Sequence, residues 1–424
     1  MGWVILFLPA VMLLLGFPLF TVLLISALTA VALFTTMPLT MAPQVFFGAI
    51  DQYTLIAIPL FIFAGELMAE GGASKRIIRL ALSLFGGVRG SLGLTTVGAC
   101  EIFGTMSGSS QATVAAVGRQ VYPDLIAKGY GERFSLGLIT SCGAIAIVIP
   151  PSVPMILYGA VGQQSISELF AGGVVPGLLM GLATAIYVIW YAHRNDIRET
   201  SRFDPAEVWS ALKDGLPALG TPVIILGGIY AGVFSPTEAA GVACVYTIVV
   251  SRYVYREFSW AQVWRVSIST MYVTAQVMVV VAAAGVFSWV LTISGYPQQI
   301  VEFIKGLNAT ASVVLLIVNI MFLIAGCFID PASAILILTP LLLPVLTSVG
   351  VDPVHFGILM TVNLAIGMYT PPFGLNIFMS QVIFKAPVSQ IYRGIVPFVG
   401  LQLVVLALVT YIPGLSLYLP SVLR

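Results

Sequence analysis

Asn-Leu-Ala-Ile-Gly-Met-Tyr-Thr-Pro-Pro-Phe-Gly-Leu-Asn, residues 363–376, lies inside a long apolar run, residues 356–383. A helix cannot continue through Pro371 and Pro372. Each proline removes a backbone N–H and clashes with the preceding turn, and the residue before a proline is pushed out of the α region. Gly367 and Gly374 flank the break. At membrane depth, free backbone groups are costly unless they face protein or a polar cavity. The stretch therefore reads as a broken transmembrane helix lining a site. The break recurs: at an offset of 221, Thr361 falls on Thr140, Ala365-Ile366 on Ala144-Ile145, and Pro371-Pro372 on Pro150-Pro151. Gly394 and Pro397 fall on Gly173 and Pro176, Pro344 on Pro123, and Gly350 on Gly129. Interrupted helices at matching positions of two halves point to the binding site of a secondary transporter.

The composition agrees. The 424 residues are 59% hydrophobic and only 8% charged, against about 25% charged in a soluble domain. This is the composition of an all-α polytopic membrane protein. The start of the chain lacks the basic region of a signal peptide, so residues 1–15 read as a retained helix. Cys100, Cys142, Cys244 and Cys327 lie in apolar segments without metal-ligand spacing and read as packing residues. No phosphate-cradling glycine loop is present, so the chain is not expected to hydrolyse ATP, and nothing points to nucleic acid.

Spanning candidates are residues 3–15, 18–33, 55–68, 134–161, 169–191, 216–233, 236–254, 267–293, 356–384 and 391–412. Two further apolar stretches carry small, polar tips at their centres. They are residues 92–121, with Gly104-Thr-Met-Ser-Gly-Ser-Ser-Gln111, and residues 312–346, with Gly326-Cys-Phe-Ile-Asp-Pro-Ala-Ser333. Each reads as a re-entrant hairpin or as one kinked span, and the basic residues decide between these. Lys75, Arg76, Arg79 and Arg89 precede the first hairpin, and Arg119, Lys128 and Arg133 follow it. Cytoplasmic loops collect Lys and Arg, so this hairpin enters and leaves on one side. Counting onward, Arg194, Arg198, Ser201, Arg202, Lys213, Arg252, Arg256, Arg265, Lys385 and Arg393 fall inside. Residues 162–168, 234–235, 294–311 and 347–354 fall outside and contain only Lys305. Both termini come out periplasmic, and the second half is inverted relative to the first. The expected organisation is residues 1–52 as scaffold and 53–192 as the first repeat, with hairpin 92–121 and broken helix 134–161. Residues 193–264 form a cytoplasmic loop and connecting scaffold. Residues 265–424 form the second repeat, with hairpin 312–346 and broken helix 356–384.

The first tip is rich in hydroxyls. Half-helix N-termini offer partial positive charge to an anion, while frayed carbonyls and hydroxyls suit a hard cation. Gly/Ser helix packing in lipid is the plainer explanation of such a tip. Around the tips and breaks, the candidate substrate contacts are Ser109, Ser110, Gln111, Thr113, Ser152, Asp330, Phe373 and Asn376. Asp330 is an intramembrane carboxylate, which is functional by default, and it also fits the N-cap of the following half-helix. Glu101, in the first hairpin arm, is a candidate coupling group. Glu66 lies near a helix end and is expected to reach the interface. Ser235-Pro-Thr-Glu238 matches a capping box. His193 and His355 sit at expected loop ends without ligand partners, so no histidine metal site is assigned.

Seven segments, in order, carry a family resemblance. They are Ile58-Pro-Leu-Phe-Ile-Phe-Ala-Gly65, Met106-Ser-Gly-Ser109, Ile149-Pro-Pro-Ser-Val-Pro154, Phe234-Ser-Pro-Thr-Glu-Ala-Ala240, Ile337-Leu-Thr-Pro340, Asp352-Pro-Val-His-Phe-Gly357 and Gly367-Met-Tyr-Thr-Pro-Pro-Phe-Gly-Leu-Asn376. Through them the chain resembles, over residues 16–415, the large membrane subunit of TRAP transporters, the tripartite ATP-independent periplasmic systems. The resemblance implies an elevator-type importer of organic anions, such as C4-dicarboxylates, sialic acid or other carboxylates, in a bacterial inner membrane. It implies sodium coupling through two sites where each tip meets its broken helix. Carried over, one site takes Ser107, Ser109 and the stretch 143–150, with Gly143, Val148 and Pro150. The other takes Gly326, Ser333, Gly367 and Thr370. It also implies a separate small four-helix membrane subunit and a periplasmic substrate-binding protein as partners. The alternatives are an ion or solute channel, or a sodium/anion symporter of another family working alone. An intramembrane hydrolase lacks a His or Lys base to serve Ser or Cys.

Overall fold

Helices carry the chain in the computed structural model, which describes residues 2–197, 204–306 and 310–423, and none of these is in a β-strand. The first are α1 (Gly2–Leu14), α2 (Leu19–Phe34), α3 (Met41–Ile50), α4 (Ala57–Glu70) and α5 (Ala73–Leu84). They lead to the hairpin α6 (Ser91–Ser107) and α7 (Ser110–Ala127), then to α8 (Glu132–Ile145), α9 (Val153–Gly162) and α10 (Ile166–Arg194). α11 (Pro205–Tyr230), α12 (Pro236–Val249) and α13 (Trp260–Ile293) follow, and α14 (Tyr296–Gly306) stands before the second hairpin. The second half holds the hairpin α15 (Ala311–Phe328) and α16 (Pro331–Ser348), then α17 (Pro353–Gly367), α18 (Leu375–Phe384), α19 (Val388–Tyr411) and α20 (Gly414–Leu423). Seven helical segments are long and apolar enough to cross a membrane, and both arms of the second hairpin are among them. Ser201, Arg198 and Arg202 lie outside the described residues.

The helices stop at both tips and at both proline pairs, and elsewhere their limits differ from the sequence expectation. The candidate 216–233 begins earlier, at Pro205, because Asp204 caps the helix there through the Ala206 N–H at 2.9 Å. Residues 236–254 divide into α12 and a π-helical turn, Val250–Val254. The expectation missed α3, α5, α14 and α20, each ten to twelve residues long and too short for a span of roughly 20 residues. α5 and α14 hold corresponding places in the two halves, each just before a hairpin, so the repeat includes them.

Each tip stops its helix for a local reason. Gly108 takes φ +57° and ends α6, and the Ser109 hydroxyl then caps α7 through the Ala112 N–H at 3.4 Å. Asp330 caps α16 as expected, accepting the Ser333 N–H at 3.0 Å and the Ser333 hydroxyl, with Pro331 in the first helical position. At the breaks, α8 runs on to an Ile149 N–H to Ile145 C=O bond of 3.1 Å, and the two prolines that follow have no N–H to give. Ser152 then starts α9, its hydroxyl donating back to the Ile147 carbonyl and accepting from the Met155 N–H. The Pro150-Pro151 and Pro371-Pro372 bonds are both cis. The Ser235–Glu238 capping box is also present, with the Ser235 N–H donating to the Glu238 carboxylate at 2.8 Å.

The two halves interlock. α8 packs on α19 and its counterpart α17 packs on α10, while α9 packs on α16 and its counterpart α18 packs on α7. α12 and α13 each pack on α4, with α2 and α3 on α13. The outward faces of α10, α11, α15 and α19 expose Leu182, Ile186, Val223, Ile317, Ile324 and Val404, an apolar surface suited to lipid rather than water. On α5, Arg76 donates to Asp214 at 3.1 Å and Glu257 at 2.8 Å and lies 3.7 Å over the Tyr255 ring. Burial alone would depress this guanidinium, but the hydrogen bonds to Glu257 and Asp214 carry it above its ordinary pKa. These contacts fasten α5 to α11 and to the linker before α13.

Candidate functional site

Both tips and both breaks meet at one cavity of about 290 Å³. Ser107, Ser109, Ser110 and Gln111 come from the first tip, and Asp330 and Pro331 from the second. Ile147 and Val153 border the first break and Met368 the second, while Gly65 and Glu66 of α4 and Val273 and Val277 of α13 close the remaining wall. The sequence-derived substrate candidates separate here. Ser109, Ser110, Gln111 and Asp330 line the cavity, whereas Thr113, Ser152, Phe373 and Asn376 do not. Thr113 donates to the Ser109 carbonyl at 2.8 Å and lies 3.2 Å from the Ser107 hydroxyl, so it braces the tip from behind. Phe373 is exposed and packs against Phe328 with ring centroids 5.6 Å apart. Asn376 is fully buried; its amide nitrogen donates to Ser110 Oγ at 2.7 Å and to the Thr140 carbonyl at 3.1 Å. It ties the second break's half-helix to the first hairpin.

The residues carried over as ion ligands lie where backbone meets backbone. A Cβ at Gly367 would sit 2.6 Å from Gly326 Cα, so these two glycines let the second tip touch its broken helix. The counterpart contact is Gly104 against Ala146, where a Cβ on Gly104 would sit 2.7 Å from Ala146 Cα. A side chain at Gly108 would come within 2.9 Å of the Pro151 carbonyl. Gly143 faces the Ser110 carbonyl at 3.1 Å from the position of its missing Cβ. Thr370 donates to the Ile366 carbonyl at 2.7 Å, and Ser333 is engaged by Asp330. Val148 and Pro150 stand in the first break, between α8 and α9. Hydroxyl and carbonyl oxygens are thus the polar atoms at hand at both contacts. Among the described residues no group of three His, Cys, Asp or Glu side chains is placed to hold a metal. Such a donor set fits a hard monovalent cation better than a transition metal.

The acidic and histidine residues take definite places. Glu66 does not reach the interface: it faces the cavity and accepts a hydrogen bond from Thr270 Oγ1 at 3.1 Å. Its neighbour Gly65 gives the reason, since a Cβ there would lie 2.8 Å from Ser107 Cα, so this face of α4 presses on the tip. Glu101 is directed at Gly181 of α10 and is absent from the cavity wall. His355 sits in the first turn of α17, buried, with Nδ1 2.7 Å from Ser416 Oγ. His193 lies in the last turn of α10, its Nδ1 2.8 Å from the Ile189 carbonyl.

Comparison with known proteins gives the arrangement a family. The chain covers 93% of a Neisseria gonorrhoeae MtrF structure, a member of a class of antimetabolite efflux pumps, with TM-score 0.61 at 14% identity and 93% of this chain aligned. The Alcanivorax borkumensis YdaH transporter aligns over 97% of this chain and 99% of its own, with TM-score 0.57 at 15% identity. Those likenesses show a shared membrane-transporter fold. In sequence, the ectoine/5-hydroxyectoine TRAP transporter large permease protein UehC of Ruegeria pomeroyi is 41% identical over 412 residues, 96% of each chain. The C4-dicarboxylate TRAP transporter large permease protein DctM of Pseudomonas aeruginosa is 40% identical over 375 residues, 88% of each. The isethionate TRAP transporter permease protein DctMQ of Oleidesulfovibrio alaskensis is 39% identical over 96% of this chain, which spans 65% of that longer protein. The model of the tripartite ATP-independent periplasmic transporter family, DctM component, matches residues 6–415. The chain is a multi-pass membrane protein and belongs to that family, as a large permease component and not an enzyme.

Proposed function

We propose that this chain is the carrier of a sodium-driven importer for a small carboxylate-bearing solute in a bacterial inner membrane. The observation that supports this most directly is the meeting of both tips and both broken helices at one cavity. Two sodium ions are held where tip meets break, by Ser107, Ser109 and carbonyls of residues 143–150, and by Gly326, Ser333, Gly367 and Thr370. Bound there, the ions supply positive charge beside the cavity and fix each tip on its break. The two hairpins are re-entrant, and the tip-bearing helices move against a scaffold built on α1–α3, α11 and α12 in an elevator motion. A separate small membrane subunit and a periplasmic binding protein complete the system, the latter delivering substrate. Relatives named for ectoine, C4-dicarboxylates and isethionate support a small organic acid as cargo.

The test is initial uptake of the solute captured by the binding protein, in proteoliposomes holding both membrane subunits. Uptake is expected to saturate with solute and to need an inward sodium gradient. Equal uptake driven by a pH gradient in sodium-free buffer would reject sodium coupling. Non-saturating flux without the binding protein would favour a channel.

A further inference from the structure

The geometry points to a zwitterion as the cargo: a compact solute carrying a cationic nitrogen as well as a carboxylate, with Glu66 as the residue that recognises the cation. This rests on the importer reading and names the substrate class of the same cavity.

The charges around the cavity carry the inference. Its wall contains two carboxylates, Glu66 and Asp330, and among the described residues no Lys, Arg or His. The two carboxylates are not equivalent. Asp330 is turned onto the Ser333 N–H and hydroxyl at the start of α16. Its charge is thereby spent on the partial positive charge of that half-helix end. The start of α7 is different, because its cap is the neutral Ser109. That end keeps its positive pole, and Gln111 beside it adds an amide to the wall. A substrate carboxylate belongs there. Glu66 is held by the hydroxyls of Thr270, at 3.1 Å, and Ser269, and an ionised carboxylate has about four lone-pair sites. It therefore has acceptor capacity to offer a donor in the cavity.

One pole thus suits an anion and another suits a cation. A dianion would fill the first and set its second carboxylate against Glu66, with no basic side chain in the wall to offset it. Like charges in a partly desolvated site disfavour binding strongly. A zwitterion sets its cationic nitrogen against Glu66, and a dianion offers that carboxylate no partner.

The test uses the large subunit purified with its small subunit, in sodium chloride or potassium chloride. The probes are 4-aminobutyrate, proline and glycine betaine as zwitterions, butyrate as monoanion and succinate as dianion. Thermal stabilisation is titrated for each. At least one zwitterion is expected to stabilise the complex in sodium, and succinate is not. Glu66→Gln is expected to weaken that zwitterion about tenfold or more, the scale of a lost charge-assisted hydrogen bond. Glu66→Asp, which keeps the charge, is expected to retain part of the affinity and guards against a folding artefact. Stabilisation by succinate equal to or above every zwitterion, no stabilisation by any zwitterion, or full affinity in Glu66→Gln each overturns the proposal. Sodium-dependent binding of succinate would reject the zwitterion and keep the importer reading. Binding equal in sodium and potassium would reject sodium coupling whichever charge class binds.

Discussion

Gly367→Ala is expected to abolish sodium-dependent uptake in a chain that still inserts and folds. The methyl group would lie 2.6 Å from Gly326 Cα, 2.7 Å from its carbonyl carbon and 3.0 Å from its carbonyl oxygen. All three atoms are backbone, so no side chain can swing away. The second tip must instead lift from its break. Overpacking of this kind costs about 1–3 kcal/mol. Borne by the ion-loaded state, it corresponds to roughly five- to 150-fold in sodium affinity. Gly104→Ala is expected to act alike in the first half, where the methyl meets Ala146 Cα at 2.7 Å. Gly400→Ala is the control, because nothing lies within 4 Å of its added methyl. Uptake rate against sodium concentration decides: wild-type dependence in folded Gly367→Ala would remove the tip–break contact from the ion site.

Asn376→Leu is expected to destabilise the protein and stop transport together. Asn376 and Ser110 are 266 residues apart, yet their side chains exchange hydrogen bonds of 2.7 and 2.9 Å, both groups fully buried. Leucine fills a similar volume but strands the Ser110 hydroxyl and removes the second bond to the Thr140 carbonyl, which keeps its place in α8. A stranded buried group costs about 1–3 kcal/mol. Ser110→Ala is expected to be milder, because Asn376 keeps its bond to Thr140. The measurements are the melting temperature in detergent and the uptake rate. A melting temperature unchanged in Asn376→Leu would contradict this bracing role and return Asn376 to the list of substrate contacts.

Features written in local sequence were legible without coordinates. The paired prolines, the Gly-Ser and Asp-Pro tips and the capping box at Ser235 each act within a few residues of themselves, so their meaning survives in a linear reading. The resemblance at seven segments supplied the family in the same way. Two kinds of information were out of reach. Helices of ten to twelve residues, such as α5 and α14, are too short for a spanning signal, and α5 shows itself mainly by alternating charge and apolar residues. Cavity membership depends on which faces of distant helices meet. Glu66 is one residue from a glycine whose bare face admits the first tip, and that adjacency on an apolar helix was the only hint of its position. Ser152 and Asn376 follow the proline pairs in sequence, which made them look like site residues. Folding turns their polar atoms to the Ile147 carbonyl and to Ser110 instead.

The central claim is that the second half lies upside down relative to the first, so that two tips reach one cavity from opposite sides of the membrane. Single cysteines at three loop positions test it, with the buried Cys100, Cys142, Cys244 and Cys327 replaced. Intact cells are treated with an impermeant thiol reagent. Gln164→Cys, before α10, and Ser348→Cys, at the end of the second hairpin, are expected to be labelled. Lys128→Cys, after the first hairpin, is expected to react only once the cells are lysed. Labelling of Ser348→Cys solely after lysis would place both hairpin ends on the same face of the membrane and contradict the inverted arrangement.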